Sequence, residues 1–168
     1  MPIIKKFIFV IFLSAFANQV NAEEVKKVGK HKDWETYIIK NDAGKVCFAQ
    51  SIPVLQSPKT SLRDSRLFIS FRPEEKIANE ISITAGYEFN KKNMVTAVSG
   101  KNKYKFDLLQ DGFAWMTSNK SEKKMIKTMK KGSRIMITGH NQNGSQTKDH
   151  YSLLGFTKAY NATKANCS

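Results

Sequence analysis

The stretch SRIMITGHNQNGSQTKDHYSLLGF, Ser133 to Phe156, decides the fold class. Arg134 to Thr138 is rich in β-branched residues, Tyr151 to Phe156 is apolar and aromatic, and the polar segment between them centres on Asn143-Gly144. Two β-prone runs joined by Asn-Gly predict a long antiparallel hairpin, because Asn and Gly tolerate the positive φ angles that a tight turn imposes.

Upstream of the hairpin the same signals recur at short intervals. β-formers dominate Trp34 to Ile39, Asn41-Asp42-Ala43-Gly44 turns the chain, and Lys45 to Ile52 returns as a second strand. Pro53 and Pro58 sit in a longer loop, after which Arg66 to Phe71 forms a strand stopped by Pro73. Glu80 to Phe89 alternates, with Ile81, Ile83, Ala85, Tyr87 and Phe89 on one face and Glu80, Ser82, Thr84 and Glu88 on the other. Met94 to Val98 follows, and Tyr104 to Gln110 pairs through Asp111-Gly112 with Phe113 to Thr117. About nine short strands in this arrangement predict a mainly β protein, an antiparallel β-sandwich or barrel-like fold.

One amphipathic helix interrupts the strands. Ser121 is placed to cap it, Glu122 to occupy its first turn and Gly132 to end it. At about 100° per residue, Met125, Ile126 and Met129 form its apolar side, while Lys123, Lys124, Lys127, Lys130 and Lys131 share the other. Thr157 to Asn166 reads as a short C-terminal helix or irregular tail.

The N-terminus reads as an export signal. Lys5 and Lys6 precede a mostly apolar run from Phe7 to Ala17, and Val20-Asn21-Ala22 offers the small residues a signal peptidase accepts. The apolar run is too short to span a hydrocarbon layer of roughly 30 Å. The expected organisation is a signal peptide at 1–22, a flexible charged leader at 23–33, and a single domain at 34–168. Such a chain would be exported through Sec to the periplasm or outer envelope, or be secreted.

In an oxidising compartment the two cysteines, Cys47 and Cys167, are expected to form one intramolecular disulfide; two free thiols or an intermolecular bridge are the alternatives. The formal net charge of +14 comes from 28 basic and 14 acidic residues, and 24 of the basic residues are lysine, a bias that is in part compositional. Outside the cytoplasm, such charge points to anionic lipid, acidic polysaccharide or an envelope protein before nucleic acid. No nucleic-acid readout motif is present. The five helix lysines are the candidate anionic-surface residues, set against the simpler reading of a solvated face.

Asp149-His150-Tyr151-Ser152 contains the residue types of a hydrolase triad, but neighbouring residues of a strand point to opposite faces, and no Gly-x-Ser-x-Gly elbow occurs. His140 and His150 lie on opposite hairpin arms and could approach one another, yet a protein zinc site takes three or four ligands. Neither metal nor cofactor is expected. Trp34, Tyr87, Trp115 and Tyr151 could line a carbohydrate groove, although core packing explains aromatics in such strands more simply.

A dispersed pattern resembles the invasion-associated locus B proteins of bacteria over nearly all of the chain after the signal. It comprises Trp34 and Tyr37, Cys47 followed by Pro53, Arg72-Pro73, Asn79-Glu80-Ile81-Ser82, Gly86-Tyr87-Glu88-Phe89, Ala114-Trp115, Met129-Lys130-Lys131-Gly132, Gly139, Gly144, Asp149, Tyr151-Ser152-Leu153, Gly155-Phe156-Thr157 and Cys167. The resemblance implies an envelope-located or secreted, mostly β protein named for a role in host-cell entry, with no established enzymatic reaction. Two functional classes follow: an envelope binding module, or a small hydrolase acting on cell-wall or lipid substrate. A cleft of converging polar groups would separate the second from the first.

Overall fold

The computed structural model describes residues 24–42, 44–59 and 62–168; the expected signal peptide and its cleavage site lie outside them. The described residues form twelve strands and two helices. Their pairing gives two antiparallel sheets and no closed barrel.

The larger sheet contains seven strands. β1 (Glu24–His31) pairs with β2 (Trp34–Asn41), which pairs with β3 (Gly44–Ser51), then β5 (Ser65–Arg72), β6 (Ile77–Ala85), β10 (Phe113–Trp115) and β9 (Leu108–Gln110). The smaller sheet has the order β4 (Leu55–Ser57), β12 (Gln146–Ser152), β11 (Arg134–His140), β7 (Val95–Ser99) and β8 (Asn102–Phe106). The inward residues of both sheets and the apolar faces of both helices join in one core, from Trp34, Leu67, Ile69, Ile81 and Ile83 to Val95, Ile135, Ile137 and Tyr151.

The deciding hairpin forms with Met136 opposite His150 and Ile137 opposite Asp149, but its second arm is the polar Gln146–Ser152: of the expected run Tyr151 to Phe156 only Tyr151 and Ser152 lie in the strand, and Phe156 already begins the C-terminal helix. Its turn differs from the tightest Asn-Gly type, since only Gly144 has positive φ there, at 83°. Gly144 N donates to Asn141 O and Asn141 N donates to Ser145 O. This is a three-residue loop with its glycine in the left-handed region. Asp111-Gly112 does make the two-residue turn, with φ of 48° and 76°.

Several expectations are corrected. Residues 24–31, read as flexible leader, form edge strand β1 along the whole of β2. Hydrogen bonding to an existing strand does not require apolar side chains, and Lys27 reinforces the pairing by an ion pair with Glu35. The count of about nine becomes twelve because β1 is added, because the proline loop contributes β4, which pairs with β12, and because Tyr104–Gln110 divides. Asp107 breaks that run by accepting from Thr117 N at 2.9 Å and Thr117 Oγ1 at 2.7 Å. The chain thereby passes from the smaller sheet into the larger one. The alternation of Glu80–Phe89 likewise stops at Gly86, with φ of 74°, leaving Phe89 to make a lone bridge to Asn141.

Helix α1 (Asn119–Met129) starts two residues before the expected cap: Ser118 is the N-cap, and its side chain accepts from Ser121 N. Met125, Ile126 and Met129 are buried as the periodicity predicts. The tail is a regular helix, α2 (Phe156–Asn166), packed on β1, β2, β3 and β5. Phe156 meets the Trp34 ring at 4.9 Å and Tyr160 meets Phe71 at 5.7 Å. Gly155 allows this docking, because a Cβ there would lie 1.9 Å from His31 O. None of the described helices is long and apolar enough to cross a membrane.

Cys47 of β3 and Cys167 beyond α2 are joined in a disulfide across 120 residues. On the chain-entropy account a loop of this length restricts the unfolded chain by about 5 kcal/mol. Replacing both cysteines by serine should therefore lower the unfolding free energy by about 2–5 kcal/mol. Urea titration of the two proteins measures the difference, and the variant should fray first at α2, seen as faster amide exchange in residues 156–166.

Candidate functional site

A hollow beside α1 is lined by cations without an anion among them. Lys124, Lys127 and Lys131 line one wall of a hollow of about 760 Å³, with Thr128 between them. Ser99, Gly100 and Asn102 of the β7–β8 turn form the opposite wall, and Gly132, Ser133 and Arg134 lead into β11 below. Local structure explains the assembly. Burial of Met125, Ile126 and Met129 turns the Lys124–Lys127–Lys131 stripe outward, and Tyr104 of β8 fixes the helix by a 2.7 Å hydrogen bond to Thr128 Oγ1. Ser99 Oγ donates to Arg134 O at 2.9 Å, holding the β7 turn against the start of β11.

The lining contains four cations and no carboxylate. Among the described residues, no ion pair engages Lys124, Lys127, Lys131 or Arg134, whereas Lys27, Arg63, Arg66 and Arg72 are all paired. The helix C-terminus is close by, but Thr128 O already accepts from both Lys131 N and Gly132 N. Its carbonyl is therefore already occupied by backbone donors.

The five expected lysines do not act as one face. Lys124, Lys127 and Lys131 enter the hollow, joined by Arg134, which periodicity on the helix could not reveal. Lys130 turns the other way, its Nζ 3.8 Å from the centre of the Tyr160 ring. Burial and then the nearby Lys164 hold its ammonium below the ordinary lysine range. Lys123 instead borders a smaller hollow of about 340 Å³ with Asn79, Glu80 and Glu122.

Glu122 is itself 3% exposed, and its Oε1 accepts from Ile81 N at 3.1 Å. It takes over where β10 ends, the last bond on that side being Met116 N to Ile81 O. Burial pushes its carboxyl up to about 7, against the opposing effect of the Ile81 amide. A raised folded-state value favours the protonated form, so this contribution to stability is complete below the usual glutamate range near pH 4.5. It is lost as pH rises through about 7.

A second polar cluster lies between the sheets. Asp149 of β12 receives both terminal nitrogens of Arg63, one at 2.9 Å, and both side chains are buried. Arg63 Nη1 also donates to Ser65 Oγ at 3.1 Å and Ala85 O at 3.0 Å. Gln56 grips the Arg63 backbone from both sides. Tyr87 lies under the guanidinium and shares a 2.6 Å hydrogen bond with Thr147. Asp149 is thus committed to Arg63, and His150 points to the opposite side of its strand, half-buried. Sequence reading missed Arg63, which stands in a loop without regular pattern.

The histidines are kept apart by register: Gln146 is opposite His140, and Met136 opposite His150. No group of three or more His, Cys, Asp or Glu is disposed to hold a metal among the described residues. Of the four aromatics considered for a carbohydrate groove, Trp34 and Tyr151 are buried and Tyr87 belongs to the polar cluster. Trp115 lies on the outer face of the larger sheet, stacked on Phe113.

These features define a disulfide-clipped protein of two antiparallel sheets, with a buried ion pair between them and an unpaired basic hollow at the surface. The chain belongs to the invasion associated locus B (IalB) protein family, whose family model matches residues 34–164. Comparison with curated proteins found no match, and comparison with solved structures found none.

Two outcomes are expected. Asp149→Asn or Arg63→Met alone should destabilise the fold by about 3–5 kcal/mol, since each strands a buried charge, while the Arg63→Met/Asp149→Leu double variant loses less than the sum; denaturant titration of the cycle measures it. Glu122→Gln should keep the bond from Ile81 N but flatten the fall in melting temperature between pH 5 and 8. At pH 8 it should be more stable than the parent, on the order of 2 kcal/mol.

Proposed function

We propose that the protein is an exported envelope binding protein that adheres to an anionic surface through the hollow beside α1. The observation that carries this reading is the convergence of Lys124, Lys127, Lys131 and Arg134 on one concave surface with no carboxylate in its lining. Exposed lysines scattered over a protein attract anions weakly and are screened by salt. Like charges gathered in a recess with low-dielectric walls reinforce one another's field and concentrate a counter-charge there. Family membership agrees with an envelope role, and the N-terminal signal motif supports export.

The apolar side of α1 is already spent in the core, Met125 and Met129 being fully buried. Adhesion is accordingly peripheral, without insertion of the helix. The hydrolase reading has one foothold, the buried Glu122 with its raised proton affinity. Its Oε1 is occupied by the Ile81 amide, and the nearby Glu80 is held in a two-pronged pair by Arg72. Both acids therefore serve the fold, and binding is the better reading.

Vesicle sedimentation tests the proposal. The protein should sediment with vesicles containing anionic phosphatidylglycerol and not with phosphatidylcholine alone. Retention should weaken as salt rises to roughly 0.15 M. Lys124→Glu/Lys127→Glu/Lys131→Glu should abolish it, while Lys26→Glu/Lys40→Glu/Lys91→Glu, with the same net charge change on exposed residues elsewhere, should retain most of it. Equal losses in the two triple variants would show that net charge alone attracts the protein.

A further inference from the structure

The hollow is more selective than a charged face, and we infer that it is a binding site for a phosphorylated sugar. This rests on the reading that the hollow engages an anion and names the group it takes. Its volume of about 760 Å³ falls within the range of small-molecule sites, roughly 300–1,000 Å³. A single headgroup is of a size to occupy such a hollow.

The lining chooses the chemistry. Ser99, Asn102, Thr128 and Ser133 alternate with the cations, and Leu, Ile, Val, Met and aromatic side chains are missing from the lining. An acyl chain finds no large apolar side chain against such walls. A hydroxyl-rich ring finds partners on every side. Ser99 Oγ spends its proton on Arg134 O and keeps its lone pairs for an incoming hydroxyl. Thr128 Oγ1 shares a hydrogen bond with Tyr104 Oη in which either hydroxyl can donate, and acceptor capacity is left on it in both cases.

Four cations are more than a carboxylate needs. A phosphate monoester carries a charge of about −1.5 to −2 at neutral pH and three acceptor oxygens, so it can meet several ammonium groups at once. Arg134 adds a planar fork that matches two phosphate oxygens, where each lysine supplies a point charge. The ligand is then a sugar bearing a phosphate monoester, free or as the headgroup of a lipid.

Glucose 6-phosphate is a suitable soluble probe, titrated into isotopically labelled protein in roughly 0.15 M salt while backbone amide shifts are followed. Saturable shifts should be confined to residues 99–102 and 124–134. Half-saturation should fall at least about tenfold below that of inorganic phosphate, with no saturable response to glucose or glucuronate. Lys127→Gln/Lys131→Gln, both exposed positions, should weaken binding by at least about tenfold. Arg134→Lys should weaken it with the charge preserved. Equal affinity for inorganic phosphate or glucuronate would overturn the assignment, as would shifts spread over lysines across the surface or an unaffected variant.

The vesicle arm separates this inference from the broader one. Displacement from anionic vesicles by glucose 6-phosphate would support the inference and place sugar-phosphate binding and adhesion in the same hollow. Sedimentation with vesicles but no saturable sugar-phosphate binding would sink the inference and leave adhesion standing. Saturable sugar-phosphate binding without vesicle sedimentation would support the inference with a soluble source and remove the adhesion reading.

Discussion

The relation between the two sheets depends on the buried pair of Arg63 and Asp149. Apolar packing is non-directional, so a core of Ile, Leu and aromatic side chains specifies the offset of the sheets less sharply than a directional contact does. A buried ion pair specifies it sharply, because each charge left without its partner pays its full desolvation. Asp149 rises from β12 in the smaller sheet, while Arg63 stands in the loop two residues before β5 of the larger one and donates to Ala85 O at the end of β6. The surroundings are shaped to this pair. A Cβ on Gly86 would lie 2.9 Å from Asp64 N beside Arg63, and one on Gly139 would lie 2.7 Å from Tyr87 Oη. Burial raises the proton affinity of the Tyr87 hydroxyl, which keeps it a hydrogen-bonding neighbour of Thr147 instead of a third charge.

Local signals revealed what local physics controls. The hairpin, the two-residue Asp111-Gly112 turn and the buried stripe of α1 are all consequences of residue type and period, and they were legible. What depended on pairing between distant segments was not. β1 carries four charged side chains among its eight residues and resembles a solvated leader until β2 offers it an edge. β4 is three residues long in a proline-containing loop. Asp107 looks like any strand residue until Thr117 supplies both of its hydrogen bonds. The same limit applies to the site. Helical periodicity could place Lys124, Lys127 and Lys131 together, but it could neither bring Arg134 and Ser99 alongside nor foresee that Lys130 would turn to Tyr160.

The outer face of the larger sheet shows why exposed aromatic residues are not in themselves a binding platform. Tyr37, Phe48, Phe68, Phe113 and Trp115 form a continuous row across β2, β3, β5 and β10. Tyr37 and Phe48 stack at 5.2 Å with planes 11° apart, and Phe113 and Trp115 at 5.2 Å with planes 20° apart. Rings this close and this nearly parallel must be offset-stacked, turning faces to each other and leaving less than a full face for a sugar. The row instead roofs the sheet, and Ser82, paired in register with both Phe68 and Trp115, is buried beneath it at 5% exposure.

That contrast bears on where recognition resides. On the larger sheet several charges are answered within the molecule, Lys27 by Glu35, Arg66 by Asp64, and Arg72 by Glu75 and Glu80, while Lys26, Lys40 and Lys45 carry no ion pair among the described residues. Such pairs are individually worth little to stability, but they cancel the field that an approaching ion would feel. Beside α1 nothing answers the cations among the described residues, and the recess brings them closer to a common point than a convex surface could. A protein with a formal charge of +14 repels itself wherever lysines gather, so a concave cluster is unfavourable in the empty state. An anion entering the hollow relieves that repulsion as well as forming its own contacts, which makes binding there stronger than the same lysines would provide if spread apart.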